Sequence, residues 1–236
     1  LRILSPSGLV RGNTGFGISA GAGGTSYTRG LIIDNVTIDG VASAGMWFSA
    51  VIDVIVTNCI VKYCLADGIH FSDGCAEVIV DSNILHNNGD DNIALVNDVA
   101  GSPYVGSFVV SNNQIRGGTW GMGIALIGAV GGVVTGNTIT STFSAGIATY
   151  HSTDFSYDAD KISIEGNTLI NTGVGFWGPG LAYNGCAIYL AETNNISILN
   201  NQICNNPNCD PSCGYENGYR TIQGNAYDKN KQYFKV

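Results

Sequence analysis

The sequence predicts an all-β protein that folds as a right-handed parallel β-helix of about seven coils with an irregular C-terminal cap. Three observations favour this fold: a unit repeats every 23–34 residues, its strands are three to five residues long, and no helical periodicity is present. Each unit fits one coil of a solenoid, in which short strands stack on their counterparts in the next coil. Leucine-rich repeats share this period but need a denser leucine pattern.

The first repeated element is an apolar run that ends in asparagine. Its asparagines are Asn35, Asn58, Asn83, Asn113, Asn137, Asn167 and Asn201. Amide side chains stacked at one turn can bond to the coils above and below. The pattern therefore predicts one column that contains Asn58, Asn83, Asn113 and Asn137.

The second repeated element is a short apolar strand that follows a small or turn-forming residue. Its units begin at Gly45, Gly68, Asn92, Gly123, Gly146 and Ala187. Alignment of these units predicts an inward-facing column of Ile69, Ile93, Ile124 and Ile147. Each unit thus holds at least two strands joined by turns of Gly, Asn and Ser.

The repeat also predicts the domain organisation. Residues 1–206 form the β-helix domain, whose N-terminal part we expect to be incomplete because the first residues already have strand character. Residues 207–236 lose the repeat, which predicts a C-terminal cap or tail. Three insertions, at 96–107, 150–160 and 173–185, adjoin the second repeated strand, and we expect them to form the walls of a groove.

Composition narrows the range of partners. The chain of 236 residues has only 12% charged residues and a net charge of −8, which disfavours nucleic acid and an anionic membrane face. It has no apolar run of about 18 residues and no signal-peptide pattern. Neutral polar surfaces of this kind are typical of secreted carbohydrate-active β proteins, so we expect an extracellular monomer that acts on a polysaccharide.

The seven cysteines are an odd number, so at least one is unpaired or pairs outside this segment. Cys204, Cys209 and Cys213 lie close together near the C-terminus. Their spacing fits a zinc site, but no histidine lies near them. The acidic, secreted character of the chain favours a disulfide-linked end.

Three aspartates are the candidate catalytic residues: Asp67, Asp90 and Asp91. Alignment of the second repeated element places Asp67 and Asp91 in one column of adjacent coils, about 4.8 Å apart. Carboxylates this close repel each other, so one retains a proton near neutral pH, as a general acid and base pair requires.

Other interpretations of these acids remain open. Aspartate is common in turns for conformational reasons alone, and clustered carboxylates also suit calcium. A β-eliminating lyase needs a cationic base and a partner for the uronate, and this stretch offers only Lys62 and Arg116. We expect no catalytic metal and no cofactor, with a structural calcium ion as the one exception.

The sequence resembles glycoside hydrolase family 87, the α-1,3-glucanases and mycodextranases, over about residues 30–205. The motifs that carry the resemblance are Ala66-Asp-Gly-Ile-His-Phe, Asn88-Gly-Asp-Asp-Asn-Ile-Ala-Leu, Gly121-Met-Gly-Ile-Ala-Leu-Ile-Gly, Val134-Thr-Gly-Asn-Thr and Ile164-Glu-Gly-Asn-Thr-Leu-Ile. The acidic motifs are also similar to those of the polygalacturonases. The resemblance implies that Asp90 is the general acid and that Asp67 and Asp91 activate water, with inversion at the anomeric carbon.

The sequence departs from the polygalacturonases where they bind a uronate. Met122 replaces a histidine, and Ala148-Thr-Tyr-His151 replaces an arginine and a lysine. These losses favour a neutral α-glucan, with α-1,3 or mixed α-1,3 and α-1,4 linkages, cleaved internally. Asp98 and Asp154 are candidates for the further acid that family 87 uses.

Aromatic and polar side chains near the acids are predicted to bind the sugar. They are Trp47, His70, Tyr104, Trp120, His151, Asp154, Trp177 and Tyr183. Trp120 is the preferred platform because it aligns with Gly89, one coil above the acids. The alternative functions are a glycan-binding β-helix without catalysis, such as an adhesin or tail-type protein, and a polygalacturonase, lyase or epimerase that acts on uronans.

Overall fold

The computed structural model describes residues 1–5, 8–21, 26–97, 103–118, 120–151, 157–174, 187–191 and 193–204. It also describes the backbone of two later strands, Tyr219–Thr221 and Tyr233–Lys235. These residues form three parallel sheets, and no helix occurs among them. Consequently no described segment is a helix of the length and apolarity that a membrane span requires.

Each of the three sheets has eight strands. The first sheet contains β1 (Arg2–Leu4), β4 (Thr37–Asp39), β7 (Ile60–Lys62), β10 (Ile84–His86), β13 (Gln114–Arg116), β16 (Thr138–Thr140), β19 (Thr168–Ile170) and β22 (Gln202–Cys204). The second sheet contains β2 (Ile18–Ala20), β5 (Met46–Ser49), β8 (Ile69–Ser72), β11 (Ile93–Val96), β14 (Ile124–Ile127), β17 (Ile147–Tyr150), β20 (Ile188–Ala191) and β23 (Tyr219–Thr221). The third sheet contains β3 (Thr28–Asp34), β6 (Val51–Thr57), β9 (Ala76–Asp81), β12 (Gly106–Ser111), β15 (Val130–Thr135), β18 (Ala159–Glu165), β21 (Thr193–Leu199) and β24 (Tyr233–Lys235).

The chain visits the three sheets in rotation, so three consecutive strands make one coil. Every strand pairs in parallel with the strand three places along the chain. The described strands make eight such coils, because β23 and β24, within the segment predicted to be a cap, join the second and third sheets. The predicted parallel β-helix is confirmed, with a third strand per coil that the sequence pattern did not distinguish.

Alternation of side chains along each short strand fills the interior with aliphatic and aromatic residues. Ile69, Ile93, Ile124 and Ile147 pair in one column and are fully buried, as predicted. Phe48 and Phe71 stack in the interior with ring centroids 5.0 Å apart. Because identical side chains stack on one another, the cross-section of the core stays nearly constant from coil to coil, and the interior is packed closely.

A ladder of buried asparagines closes the turn between the third and first sheets. Its members are Asn83, Asn113, Asn137, Asn167 and Asn201. The side-chain amide of each of the first four donates to the Oδ1 of the next member, at 2.9–3.0 Å. All five amides also donate to a carbonyl of the preceding coil. The ladder therefore satisfies turn groups that the core would otherwise leave unpaired.

The prediction that Asn58 belongs to this column is wrong by one residue. Cys59 occupies the ladder position, and its amide donates to Asn83 Oδ1 at 2.9 Å. Asn58 instead lies in a neighbouring column of left-handed residues, with φ of 54°, and donates to Asp34. Both positions favour asparagine, one for its amide and one because asparagine tolerates positive φ, so the sequence pattern merges them.

Three cysteines have described side chains: Cys59, Cys64 and Cys75. All are buried and none of the three forms a disulfide. Burial raises the pKa of Cys64 to about 12 and that of Cys75 to about 11, which makes both thiols poor nucleophiles. The predicted disulfide-linked end lies outside the described side chains.

Candidate active site

The three candidate acids meet at the turns that lead from the first sheet into the second. Ile69 of β8 pairs with Ile93 of β11, which places the preceding Asp67 and Asp91 in register. One oxygen from each of Asp67, Asp90 and Asp91 lies within 4.8 Å of the others. The structure thus brings together the three residues that the sequence singled out.

Backbone amides of successive coils orient two of these carboxylates. Asp67 Oδ1 accepts the Asp91 N–H at 3.0 Å, and Asp91 Oδ1 accepts the Met122 N–H at 2.6 Å. The second oxygen of Asp67 bonds to His70 Nδ1 at 2.7 Å. An ionised carboxylate only accepts hydrogen bonds, so when Asp67 is ionised the proton of this contact lies on His70 Nδ1. Asp67 and Asp91 are therefore each held by the next coil, and Asp67 is also held by His70 of the strand that follows it.

Asp90 has a partner that sequence reasoning missed. Arg11 Nη2 lies 2.8 Å from Asp90 Oδ2, although the two residues are 79 apart in sequence. The same guanidinium lies over the ring of Trp120, 5.0 Å from its centroid. The length of the first turn was a signal for this contact. The turn between β1 and β2 spans residues 5–17, about twice the length of the equivalent turns of the next three coils, which span residues 40–45, 63–68 and 87–92.

The surroundings raise the pKa of two of the acids. Burial, followed by the charge of Asp67, raises the pKa of Asp90 to about 6, against the opposing effect of Arg11. Burial, followed by the charges of Asp90 and Asp67, raises the pKa of Asp91 well above its usual range. The cluster therefore retains a proton in weakly acidic and near-neutral solution and can donate it.

These shifts predict how stability depends on pH. The raised pKa of Asp90 means that the folded state binds its proton more tightly than the unfolded chain, so stability falls as pH rises through about 6. We expect Asp90→Asn, which removes the charge, to have a higher Tm than the unsubstituted protein at pH 7.5 and no advantage at pH 4.5. Thermal unfolding followed by circular dichroism at both pH values measures the difference. The control is Asp53→Asn, an exposed aspartate of the third sheet.

The prediction would be contradicted if the Tm of Asp90→Asn, relative to that of the unsubstituted protein, were lower at pH 7.5 than at pH 4.5. Asp53 has positive φ, which asparagine also tolerates. Its substitution should therefore preserve the local backbone conformation.

Two of the predicted sugar-binding rings stack on each other. The rings of Trp47 and His70 are 3.9 Å apart and nearly parallel, at 8°, and Phe16 stacks on Trp47 at 5.4 Å. His70 is only 5% exposed. This aromatic stack supports the His70 contact to Asp67, so His70 is placed to orient an acid.

The remaining predicted sugar-binding residues fall into three groups. Trp120 is 37% exposed and lies one coil from the acids beneath Arg11. Tyr104 and His151 follow strands β11 and β17, at the opposite edge of the second sheet from the acids. Tyr104 packs edge-on against Tyr157 at 5.7 Å, and His151 Nδ1 is 3.4 Å from Asp158 without hydrogen-bond geometry. Asp98, Asp154, Trp177 and Tyr183 lie outside the described residues.

The described ends of the three predicted insertions lie at both edges of the second sheet. The first two follow β11 and β17, while the third precedes β20 at the edge that holds the acids. Their central parts lie outside the described residues. The prediction that all three form walls around the acids therefore stays a prediction.

The spacing of the three carboxylates would suit a hard cation, but their contacts favour a role in proton transfer. Both oxygens of Asp67 and one oxygen each of Asp90 and Asp91 already engage protein donors. The Arg11 guanidinium also supplies positive charge at the cluster. These contacts leave few carboxylate oxygens for the six to eight ligands that calcium takes.

The fold and this acidic turn together define a parallel β-helix with a cluster of three carboxylates at the turns between its first and second sheets. The profile of the family described as right handed beta helix region matches residues 3–107 and 98–227. The chain belongs to this family. None of the curated proteins matches it significantly in sequence.

Solved structures support the resemblance at the level of the fold. The chain is similar to the catalytic domain of a family 87 α-1,3-glucanase in complex with tetrasaccharides, with a TM-score of 0.65 and 22% identity over 75% of this chain. A complex of a family 87 α-1,3-glucanase catalytic domain with nigerose gives a TM-score of 0.59 and 21% identity over 74% of the chain. The A-module of the Azotobacter vinelandii mannuronan C-5 epimerase AlgE4 gives 0.53 and 14% over 75%.

This chain spans only part of each of these structures. It covers 34% and 35% of the two glucanase chains and 54% of the epimerase module. The fold resemblance to family 87 inferred from the motifs is confirmed. The reaction is a separate question, because the epimerase module has the same fold.

Proposed function

We propose that this chain is a glycoside hydrolase that cleaves internal linkages of a neutral α-glucan, with α-1,3 or mixed α-1,3 and α-1,4 linkages. The observation that carries the proposal is the convergence of Asp67, Asp90 and Asp91, with oxygens within 4.8 Å, at the turns between the first and second sheets. The fold similarity to α-1,3-glucanases that bind tetrasaccharides and nigerose supports a glucan as substrate. Within this proposal the protein is an extracellular monomer that needs no cofactor and binds neither nucleic acid nor membrane.

Each acid has a role that its contacts suit. Asp90, whose pKa is raised to about 6, donates its proton to the glycosidic oxygen as the bond to the anomeric carbon breaks. Asp67 and Asp91 hold the attacking water, and Asp67, which accepts hydrogen bonds from His70 and Asp91, takes its proton. The proton lost from Asp90 is regained when the cluster re-equilibrates with solvent.

The proposed stereochemical course is inversion, which rests on the resemblance to family 87 and the polygalacturonases. Inverting enzymes usually hold their two carboxyl groups about 6.5–9.5 Å apart, and retaining enzymes about 5–5.5 Å. The oxygen separations here, within 4.8 Å, are nearer to the retaining value. The anomer of the first product is therefore part of the test.

The test is the release of reducing ends from a panel that contains α-1,3-glucan, a mixed α-1,3/α-1,4-glucan, polygalacturonate and alginate. We expect cleavage of a neutral α-glucan to internal oligosaccharides, and proton NMR of the first product should give the anomer opposite to the substrate's. Retention would reject inversion and leave hydrolysis in place. Binding of a glucan without any cleavage would reject the hydrolase and favour the non-catalytic β-helix.

A uronan-acting enzyme is the second candidate, and Arg11 is the observation that favours it. The sequence offered no cation in the acidic column, yet the structure has a guanidinium 2.8 Å from Asp90. The fold similarity to the mannuronan epimerase module agrees with this alternative. An unsaturated product from polygalacturonate or alginate, detected by its ultraviolet absorbance, or a changed uronate composition would support it over the glucanase.

A further inference from the structure

Arg11, in the long first turn of the solenoid, contacts Asp90 in the fourth coil. The turn is anchored on the second coil, where the Gly12 N–H donates to the Ala42 carbonyl at 2.9 Å and Phe16 stacks on Trp47. Three coil steps of about 4.8 Å separate the first coil from the coil of Asp90. The extra residues of this turn are what allow Arg11 to bridge that distance.

Arg11 makes two contacts that a bound sugar would need for itself. Its guanidinium covers part of the Trp120 ring, which is the exposed aromatic surface next to the acids. Its Nη2 also pairs with Asp90 Oδ2, the oxygen of the proposed proton donor. An aromatic face beside a carboxylate is the usual arrangement for a sugar ring, so the present contacts of Arg11 compete with the substrate.

The guanidinium side of this pair faces solvent. The Arg11 side chain is 46% exposed, whereas that of Asp90 is 17% exposed, so a displaced guanidinium can be hydrated at once. A sugar ring that packs on Trp120 and bonds to Asp90 can therefore replace the guanidinium.

We propose that Arg11 is a positioning residue that the sugar displaces: it holds Asp90 in the free protein, and it leaves when a sugar ring packs on Trp120. This inference rests on the proposed function, since it assigns a step to the same site. Four charged or titratable groups face Asp90: Asp67, Asp91, His70 and Arg11. Removal of the guanidinium leaves the two other carboxylates as the dominant neighbours, which favours protonation of Asp90 when the leaving oxygen needs a proton.

The first test compares two pH profiles. The profile of kcat/KM reports the proton donor in the free enzyme, and the profile of kcat reports it in the complex. We expect the alkaline limb of kcat/KM to lie about one pH unit below that of kcat, the lower end of the effect of a neighbouring charge. In Arg11→Gln the alkaline limb of kcat/KM should move to the higher pH at which the limb of kcat falls. The limb of kcat should stay at the same pH.

Two variants serve as controls. Arg11→Lys keeps a positive charge near Asp90 and should keep the two limbs apart. Arg2→Gln removes an exposed arginine that pairs with Asp39, away from the acids, and should leave both profiles unchanged. A rise in KM on the neutral glucan for Arg11→Gln, with both profiles unchanged, would show a lasting sugar contact and overturn the proposal.

The second test does not depend on turnover. Carbon-13 NMR of aspartate carboxyls, with the Asp90 signal assigned by its loss in Asp90→Asn, follows protonation directly. The pKa of Asp90 should be higher in Arg11→Gln than in the unsubstituted protein. Addition of an α-1,3-linked glucotetraose should raise the pKa of Asp90 only when Arg11 is present. If Asp90 had the same pKa in the unsubstituted protein and in Arg11→Gln, the proposal would be overturned, whether or not the enzyme is active.

The two tests separate failure of the inference from failure of the proposed function. If no glucan is cleaved, the glucanase assignment fails, while the NMR titration still decides whether Arg11 controls Asp90 and yields to a sugar. If Arg11→Gln weakens binding of polygalacturonate oligomers and leaves glucotetraose binding unchanged, Arg11 is a carboxylate receptor. That result overturns displacement and favours the uronan-acting alternative.

Discussion

Asp90→Asn should lower kcat by about 10²–10⁴ with little change in KM, which is the loss expected when a general acid is removed. Asparagine keeps the shape of the side chain and still accepts a hydrogen bond from Arg11, so the site should keep its structure. It cannot supply a proton to the leaving oxygen. Initial rates on the best substrate of the polysaccharide panel, over a range of concentrations, measure both constants.

The matched control for this substitution is Asp53→Asn, the same chemical change at an exposed position of the third sheet. Its kcat and KM should equal those of the unsubstituted protein. If Asp90→Asn retained most of its turnover on that substrate, Asp90 could not be the general acid. The role would then pass to Asp91, whose pKa is also raised by burial and by its neighbouring carboxylates.

Asn113→Ala should destabilise the fold by about 4 kcal/mol, because the asparagine ladder is buried and continuous and the substitution leaves more than one buried group without its partner. The substitution removes the acceptor of the Asn83 amide groups and the donor to the Val80 carbonyl and Asn137 Oδ1. A buried polar group left without a partner costs about 1–3 kcal/mol. Urea unfolding followed by circular dichroism should show a lower midpoint with a similar slope.

Gln114→Ala is the control because Gln114 is the next residue and its side chain is exposed on the first sheet. Exposed substitutions of this kind usually change stability by no more than about 0.5 kcal/mol. A midpoint for Asn113→Ala equal to that of Gln114→Ala would mean that the ladder follows from the fold and does not stabilise it. The aliphatic columns would then account for the cohesion between coils.

The sequence by itself determined the solenoid, the inward isoleucine column and the alignment of Asp67 with Asp91. These features share a physical cause. In a parallel β-helix, equivalent residues of successive repeats become neighbours in space, so alignment of the sequence with itself predicts contacts directly. Ile69 and Ile93 pair in the structure because their repeats align in the sequence.

The asparagine columns mark the limit of that method. Asn58 and Asn83 each end an apolar run, yet backbone pairing sets Ser82 opposite Asn58 and Cys59 opposite Asn83. Two adjacent turn positions both accept asparagine, one for positive φ and one for its side-chain amide. Pattern alone cannot separate positions that share a preference, whereas hydrogen-bond register can.

Only the tertiary structure decided the environment of the acids. Arg11 reaches Asp90 from 79 residues away through an irregular turn with no counterpart in the repeat. His70 occupies an outward position by alignment, but the stack with Trp47 buries it and turns it towards Asp67. The repeat determines which residues share a column. Irregular segments, such as the turn that carries Arg11, determine what a side chain in that column contacts. The path of such a segment depends on its packing against coils that are distant in sequence, so the repeat does not predict it.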